Sequence, residues 1–470
     1  NDNIVATQAV SSGKWYYELV VGSNADKLVA GWTTTDETAK YNESALIYYN
    51  SIGIREGNKT VSWDSTVTSS LTFATNDVIG FALNLEDDEL KVYENNSLVS
   101  TITVPTDKGS TWIPCCGDSS STDASATFNF GQQGFTHTPP AGFKALCTKN
   151  LPTPTIKNGT DYFNSVLYTA NASSGKTVTG VGFSPDLFWA ARRNANGASS
   201  QMFDTVRGTT KYLDTAYNNA EGTASGVTSF DADGVTLGST WPNANNNDTW
   251  VAWNWEESAT AGFDIVSFTP SSGANTYSHG LGVKPDFIIF KSRGSSANWD
   301  VYSSALTAEY KLYLNGADLK IDSGFMNDTE PTSSVFTFDP GAQDGNAHIA
   351  YCFTNVEGYS KAGIYTGNGS SDGVFIYTGF KPAYFLVKRT EVGGGQDWEV
   401  RDTARNTYNP VSTRLIPNET YHEGQLAAKD IDFVSNGFKI RTNSSGVNSD
   451  GIEYVYLAFA ERPFKYANAR

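Results

Sequence analysis

The sequence predicts an all-β protein, a β-sandwich followed by three tandem β-sandwich-like repeat modules, and three observations predict it. Aromatic residues make up 13% of the 470 residues and charged residues only 18%, a balance that favours strands over solvated helices. Short Thr/Val/Tyr/Phe runs alternate with Gly/Asn/Asp/Ser clusters, and the Leu/Ala/Glu/Lys stretches that build helices are missing. Finally, one segment occurs three times. It reads Val181-Gly182-Phe183-Ser184-Pro185-Asp186-Leu187-Phe188-Trp189, then Leu281-Gly282-Val283-Lys284-Pro285-Asp286-Phe287-Ile288-Ile289, then Thr378-Gly379-Phe380-Lys381-Pro382-Ala383-Tyr384-Phe385-Leu386. Self-similarity at a period of roughly 100 residues marks small domains in a row, and such arrays present surfaces more often than they perform chemistry.

Residues 1–145 do not match the repeat. Gly13-Lys14-Trp15-Tyr16-Tyr17-Glu18-Leu19-Val20-Val21 alternates like a strand with one buried face. Asn76–Asn84 gives another strand, and Glu89–Val99 carries Asn95-Asn96, a pair that tolerates the positive φ of a hairpin turn. The segment closes on Ala126-Thr127-Phe128-Asn129-Phe130-Gly131. Residues 146–159 form a connector stiffened by Pro152 and Pro154. The repeats run over 160–258, 259–361 and 362–470. Each opens on a short strand, passes through the shared segment and its basic end (Arg192 and Arg193, Lys291 and Arg293, Lys388 and Arg389), and closes on an aromatic strand. Ala252, Ala350 and Ala458 are expected in one slot of those closing strands.

The order Gly13-Lys14-Trp15-Tyr16-Tyr17-Glu18, Asp77-Val78-Ile79-Gly80-Phe81, the Asn95-Asn96 turn and Phe128-Asn129-Phe130-Gly131 resembles a SPRY domain. That resemblance implies a bent, concanavalin A-like two-sheet sandwich used for binding through its loops, although the loops here depart from the family. The layout of head, connector and repeats resembles tail-fibre and other virion surface proteins of marine tailed bacteriophages. It implies a non-catalytic virion protein, extracellular when acting, that attaches to host surface polysaccharide alongside other tail proteins. By the same analogy a homotrimer is expected, with aromatic strand faces partly buried between chains.

The net charge of −17 repels a phosphate backbone, so no nucleic-acid partner is expected. No run of 18 apolar residues exists, so no membrane insertion is expected. The chain opens Asn1-Asp2-Asn3 without Met, which suggests processing or a start inside a longer protein. Cys115, Cys116, Cys147 and Cys352 lack metal-ligand spacing and are expected as free, buried thiols. His137, His279, His348 and His422 lie far apart, no nucleophile elbow is present, and no enzyme, cofactor or metal is expected. Acidic clusters at Glu86–Glu89, Asp231-Ala232-Asp233 and Asp322 read as solvated turns, with calcium the alternative. The basic ends of the repeats are expected to pair with carboxylates of neighbouring modules or subunits.

Aromatics in polar loops suit sugar stacking. Trp32, Tyr48, Tyr49 and Trp63, in the less strand-like part of the first segment, and Trp241, in an Asn-rich loop, are the carbohydrate-binding candidates. Competing readings are a structural capsid or tail component, a polysaccharide depolymerase, and a cellular lectin-like adhesin. The segments the repeats share are fold-making strands, glycines and prolines. Recognition is therefore to be sought in the loops where the copies differ, such as that of Trp241 in the first and Gly393-Gly394-Gly395 in the third.

Overall fold

The computed structural model describes residues 3–35, 50–55, 59–63, 65–68, 71–118, 123–391, 395–423 and 429–467. Its described elements are strands and short 3-10 turns, and no helix among the described residues is long and apolar enough to cross a membrane. The fold is all-β, as the composition predicts. Two compact units divide the chain, Asn1–Thr153 and Pro154–Arg470.

Two sheets form the first unit, antiparallel apart from the short strand Lys144–Ala145, which pairs in parallel with Lys14–Val21. One contains Lys14–Val21, Val78–Asn84, Glu89–Glu94, Ser97–Thr103 and Ala126–Asn129; the other contains Asn3–Val5, Leu28–Thr34, Ile52–Arg55 and Trp112–Asp118, with further short strands. The sequence motifs of this unit meet in its core. Tyr17 is fully buried, stacks on Phe81 at 4.9 Å, and lies 5.4–5.6 Å from Trp32, Phe128 and Phe130. Its hydroxyl donates to Gly31 O at 2.7 Å, which satisfies the polar tip inside an apolar core. Glu18, also buried, accepts the backbone N–H groups of Thr136 and His137 at 2.7 and 2.8 Å and so ties the closing segment to the sheet. Asn95 and Asn96 have φ of 46° and 70°, the hairpin geometry their side chains permit. The connector is anchored rather than free: Leu146 joins the first core and Leu151 packs against it.

In the second unit each repeat contains a larger antiparallel sheet in which the closing strand lies between the opening strand and the shared strand. The closing strands are Thr249–Trp255, His348–Phe353 and Glu453–Pro463. Shared strands Leu187–Arg192, Phe287–Ser292 and Phe380–Arg389 pair with them, and a smaller two- or three-stranded sheet packs on the other side. Register fixes the equivalences: Leu187, Phe287 and Tyr384 face Trp255, Phe353 and Phe459. The expected alanine slot is thereby corrected. Ala252 and Ala350 are equivalent, but the third copy has Tyr456 there, and Ala458 matches Asn254 and Cys352. In the third copy the continuous register from Tyr384–Phe459 to Arg389–Tyr454 puts an aromatic ring in that slot, so a small residue is not required there.

The repeats interlock. Trp255, Phe353 and Phe459, one from each copy, form a triangle with ring centroids 5.6–6.3 Å apart. Around it the junctions follow one cyclic pattern. Tyr351 of the second repeat donates to Asp204 of the first at 2.7 Å, and Trp253 of the first donates to Asp402 of the third at 3.0 Å. At the remaining junction those slots hold Leu457 and Ser303, whose buried hydroxyl has no partner. Trp299 reaches Asp214 O at 3.1 Å, and Trp398 reaches Tyr313 O at 2.8 Å, each crossing to the preceding repeat. The aromatic faces expected between chains therefore meet between repeats of one chain. The small sheet covers one face of each large sheet, and the two sister repeats cover the second.

Candidate functional site

The basic ends of the shared strands are largely consumed by these junctions. Arg293 pairs with Glu221 of the first repeat and Arg193 with Glu423 of the third, both at 2.8 Å. Lys291 and Lys388, fully buried equivalents, each donate to a carbonyl of the preceding repeat, Asn218 O and Gly316 O, both at 3.4 Å. Burial pushes both ammonium groups down to about 8. The pairing with neighbouring modules inferred from sequence thus holds for Arg193 and Arg293, whereas the lysines use carbonyls. Asp186 and Asp286 of the shared segment also act structurally. Each accepts a hydroxyl and the backbone N–H of Glu257 or Asn355, fixing the chain where it leaves for the next repeat.

Where the small sheet meets the edge of the large one, the three copies diverge. Three slots surround this position: Arg192, Ser292 and Arg389 on the shared strands; Trp250, His348 and Tyr454 opposite them; and Gln201, Asp300 and Glu399 on the next strand. In the first repeat the chain fills the space itself. Trp241 lies over Trp250 at 5.5 Å, and the Arg192 guanidinium stacks on Trp241 at 4.8 Å. In the third repeat Glu399 holds Arg401 and Arg414 at 2.8 Å, and Lys429 completes the cluster. Burial alone would raise Glu399, but these cations prevail and hold it at about 2.

The second repeat leaves the position open. A serine replaces the arginine, and a short Gly341–Gly345 stretch takes the place of the tryptophan loop. What results is a pocket of about 350 Å³ with edges of Phe290, Phe325 and Phe338 and a polar rim. That volume falls within the ~300–1,000 Å³ of ligand pockets. On the rim, Asp300 pairs with Lys311 at 3.0 Å, and burial raises the carboxyl against the pull of Lys311 and Lys291. His348 donates Nδ1–H to Asn346 O at 2.8 Å, which leaves its Nε2 a lone-pair acceptor. Burial holds this imidazole below the usual histidine value despite that bond, and Lys291 adds to the effect.

The sequence-predicted sugar-binding aromatics do not gather here. Trp32 is 0% exposed and belongs to the core of the first unit, so it cannot stack on a ligand. Its neighbours in sequence looked loop-like, but it lies in the strand Leu28–Thr34. Trp63 is half-buried at a turn of φ 54°, edge-on to Trp112 at 6.0 Å. Trp241 is half-buried against the first repeat's core and has one face taken by Arg192. Tyr48 and Tyr49 lie outside the described residues, as do Gly393 and Gly394. The Asn-rich loop around Trp241 is structural at its centre. Buried Asn243 donates to Gly238 O and Ser173 O and accepts Asn171 N–H, and Asn448 repeats the arrangement in the third copy. Missing from the sequence prediction are Ser292, Asp300, Lys311 and His348; the signal was Ser292 standing between two arginines in the aligned copies.

The acidic turns are engaged locally. Glu86 and Asp87 pair with Lys14 at 3.4 and 3.5 Å, and Asp233 accepts Gly180 and Gly182 N–H. Among the described residues no three metal-ligating side chains converge. Of the four free cysteines, Cys115 and Cys352 are buried while Cys116 and Cys147 are partly exposed, a correction to the expectation that all are buried.

A family model described as a domain of unknown function, DUF7483, matches residues 158–463, and a SPRY domain model matches residues 14–133. No curated protein matches the chain. The first match spans all three repeats, in keeping with their closure into one compact unit.

Proposed function

We propose that this chain, which belongs to the DUF7483 family and carries a SPRY domain before that region, is a non-catalytic virion surface protein of a tailed bacteriophage. In this reading it is a tail-fibre or fibre-tip subunit that attaches to host-surface glycan. One observation carries the binding part: the second repeat has an open pocket at the position its sister repeats fill with their own side chains. The order of SPRY-like head, connector and repeats supports the virion assignment. Several such chains on one particle multiply weak contacts by raising effective concentration. Purified, labelled chain is expected to bind some bacterial strains and not others, and to lose binding after periodate oxidation of their surface glycans. Equal binding to every strain, or to none, overturns attachment.

A second reading, a structural capsid or tail component without a receptor, is favoured by the covering of Trp32, Trp63 and Trp241. Locating the chain in a particle reconstruction separates the two. The pocket also presents two carboxylates, Asp300 and Asp339, but the first is ion-paired and the second accepts Gly341 N–H at 2.9 Å. Shortening of host polysaccharide on incubation would overturn the non-catalytic assignment.

A further inference from the structure

We propose that the pocket of the second repeat binds a single uncharged pyranose ring, with one sugar face on its phenylalanine edges and the hydroxyls read by its polar rim. This inference rests on the attachment reading and narrows it to one place and one ligand class.

The pocket exists through substitution within a fixed scaffold. Arg192 and Arg389 occupy the slot of Ser292, and Arg192 spans that space to reach Asp248 at 3.0 Å and Ala195 O at 2.9 Å. Serine cannot reach so far; its hydroxyl stops at Ser295 Oγ, 3.0 Å away. One backbone bond recurs at the matching place in all three copies: Gly238 N donates to Gly226 O, Asp339 N to Phe325 O and Arg441 N to Asp430 O. Space filled by self-contacts in the first and third repeats is therefore offered to an outside molecule in the second.

The lining selects the class. Phe290 lies 6.0 Å from Phe325 and 5.0 Å from Phe338; all three belong to the core, 1–5% exposed, and turn only narrow edges toward C–H groups in the pocket. Around it the rim supplies acceptors at His348 Nε2 and the Asp300 and Asp339 carboxylates, and donors at Lys311 and the Gln343 amide. Gln343 Oε1 is occupied by the Ser295 hydroxyl, so its NH2 is the group available to a ligand. Mixed donors and acceptors around an apolar wall match a polyol, whose every hydroxyl is both donor and acceptor. Charge argues against an ionic ligand. Two lysines, Lys291 and Lys311, balance two carboxylates, Asp300 and Asp339, in the lining, so it gives neither an anion nor a cation a net attraction.

The test is titration calorimetry of the full chain with the methyl pyranosides of glucose, galactose and mannose, N-acetylglucosamine, glucuronate and glucosamine. At least one uncharged sugar is expected to bind with a Kd on the order of 1 mM. Ser292→Arg is expected to weaken it at least tenfold while leaving the thermal unfolding midpoint unchanged, since the scaffold already holds arginine in this slot twice. Gln343→Ala, at a half-buried position, is expected to weaken it several-fold and serves if the arginine variant unfolds. Absence of any uncharged-sugar binding, preference for glucuronate or glucosamine, or wild-type affinity in both variants overturns the pocket assignment. Cell binding that survives in Ser292→Arg also overturns it and leaves attachment standing. Sugar binding in the pocket without attachment to any strain supports the pocket and removes the attachment reading.

Discussion

Replacing Trp255 by alanine tests whether the three repeats fold as one body. The indole is buried and its ring meets five others: Phe163 and Trp189 of its own repeat, Phe353 of the second, and Tyr384 and Phe459 of the third, at 4.9–6.5 Å. Truncating a buried tryptophan costs about 3–5 kcal/mol through lost transfer free energy and the cavity left behind. Three of the five partners belong to other repeats, so most of that loss falls on the junctions. Against a total stability of ~5–15 kcal/mol, it is a large fraction of what holds the second unit together. Hydrogen exchange read by mass spectrometry follows the closing strands Thr249–Trp255, His348–Phe353 and Glu453–Pro463 separately. Protection in all three is expected to fall together by about 3–5 kcal/mol, with the SPRY domain unchanged. Loss confined to residues 160–258 would refute the interlocked unit and restore independent modules.

Further outcomes follow from the junctions. Asp204→Ala strands the buried Arg207 and Tyr351 hydroxyl and is expected to cost about 3–5 kcal/mol in chemical unfolding. Leu306 stands three residues after Ser303, as Arg207 does after Asp204, so Asp204→Ser, Arg207→Leu and Tyr351→Leu together copy the junction of Ser303, Leu306 and Leu457 and are expected to recover most of that loss. Lys388 sits near 8 in the folded chain against 10.5 unfolded, so the unfolded state binds more protons between those values. Stability of the second unit therefore gains a contribution of up to about 1.4 kcal/mol per pH unit across that window, and Lys388→Met is expected to remove it from the pH profile of unfolding. Glu399, held at about 2, contributes stability that is present above the usual carboxylate range and lost as pH falls through 2. Glu399→Gln removes the carboxylate charge facing the buried Arg401 and the half-buried Arg414 and Lys429, and is expected to cost about 3–5 kcal/mol at neutral pH, the difference from wild type shrinking toward pH 2.

Strand content, the Asn95-Asn96 turn and the threefold repeat were legible because each is written in local pattern: alternation, turn chemistry, self-similarity. The closure of the repeats was not. Trp253 and Trp255 alternate on one face, which says that the face is covered but not by what; a second chain and a sister repeat leave the same mark. Trp32 shows the complementary failure. An aromatic between polar neighbours read as a loop contact, but cross-strand pairing with Pro114 places it in the core, a long-range fact absent from its own segment. The pocket was legible only as a difference. Ser292 is unremarkable alone and informative beside Arg192 and Arg389, an alignment that becomes secure once the strand register is known.

The ion pairs at the three junctions also encode an order. Arg293 meets Glu221, and Arg193 meets Glu423, so two junctions place an arginine of the shared strand against an acid of the preceding copy. Between the second and third repeats the polarity is reversed: Glu391 comes from the third and Lys320 from the second. Backbone geometry is nevertheless the same, with Glu221 N donating to Arg293 O and Lys320 N to Thr390 O. Docked on the first repeat in place of the second, the third would set Glu391 against Glu221, like charge on like. Three similar modules on one flexible nascent chain are prone to joining in the wrong sequence or across chains. The reversed pair therefore disfavours an exchange of the second and third repeats around the ring.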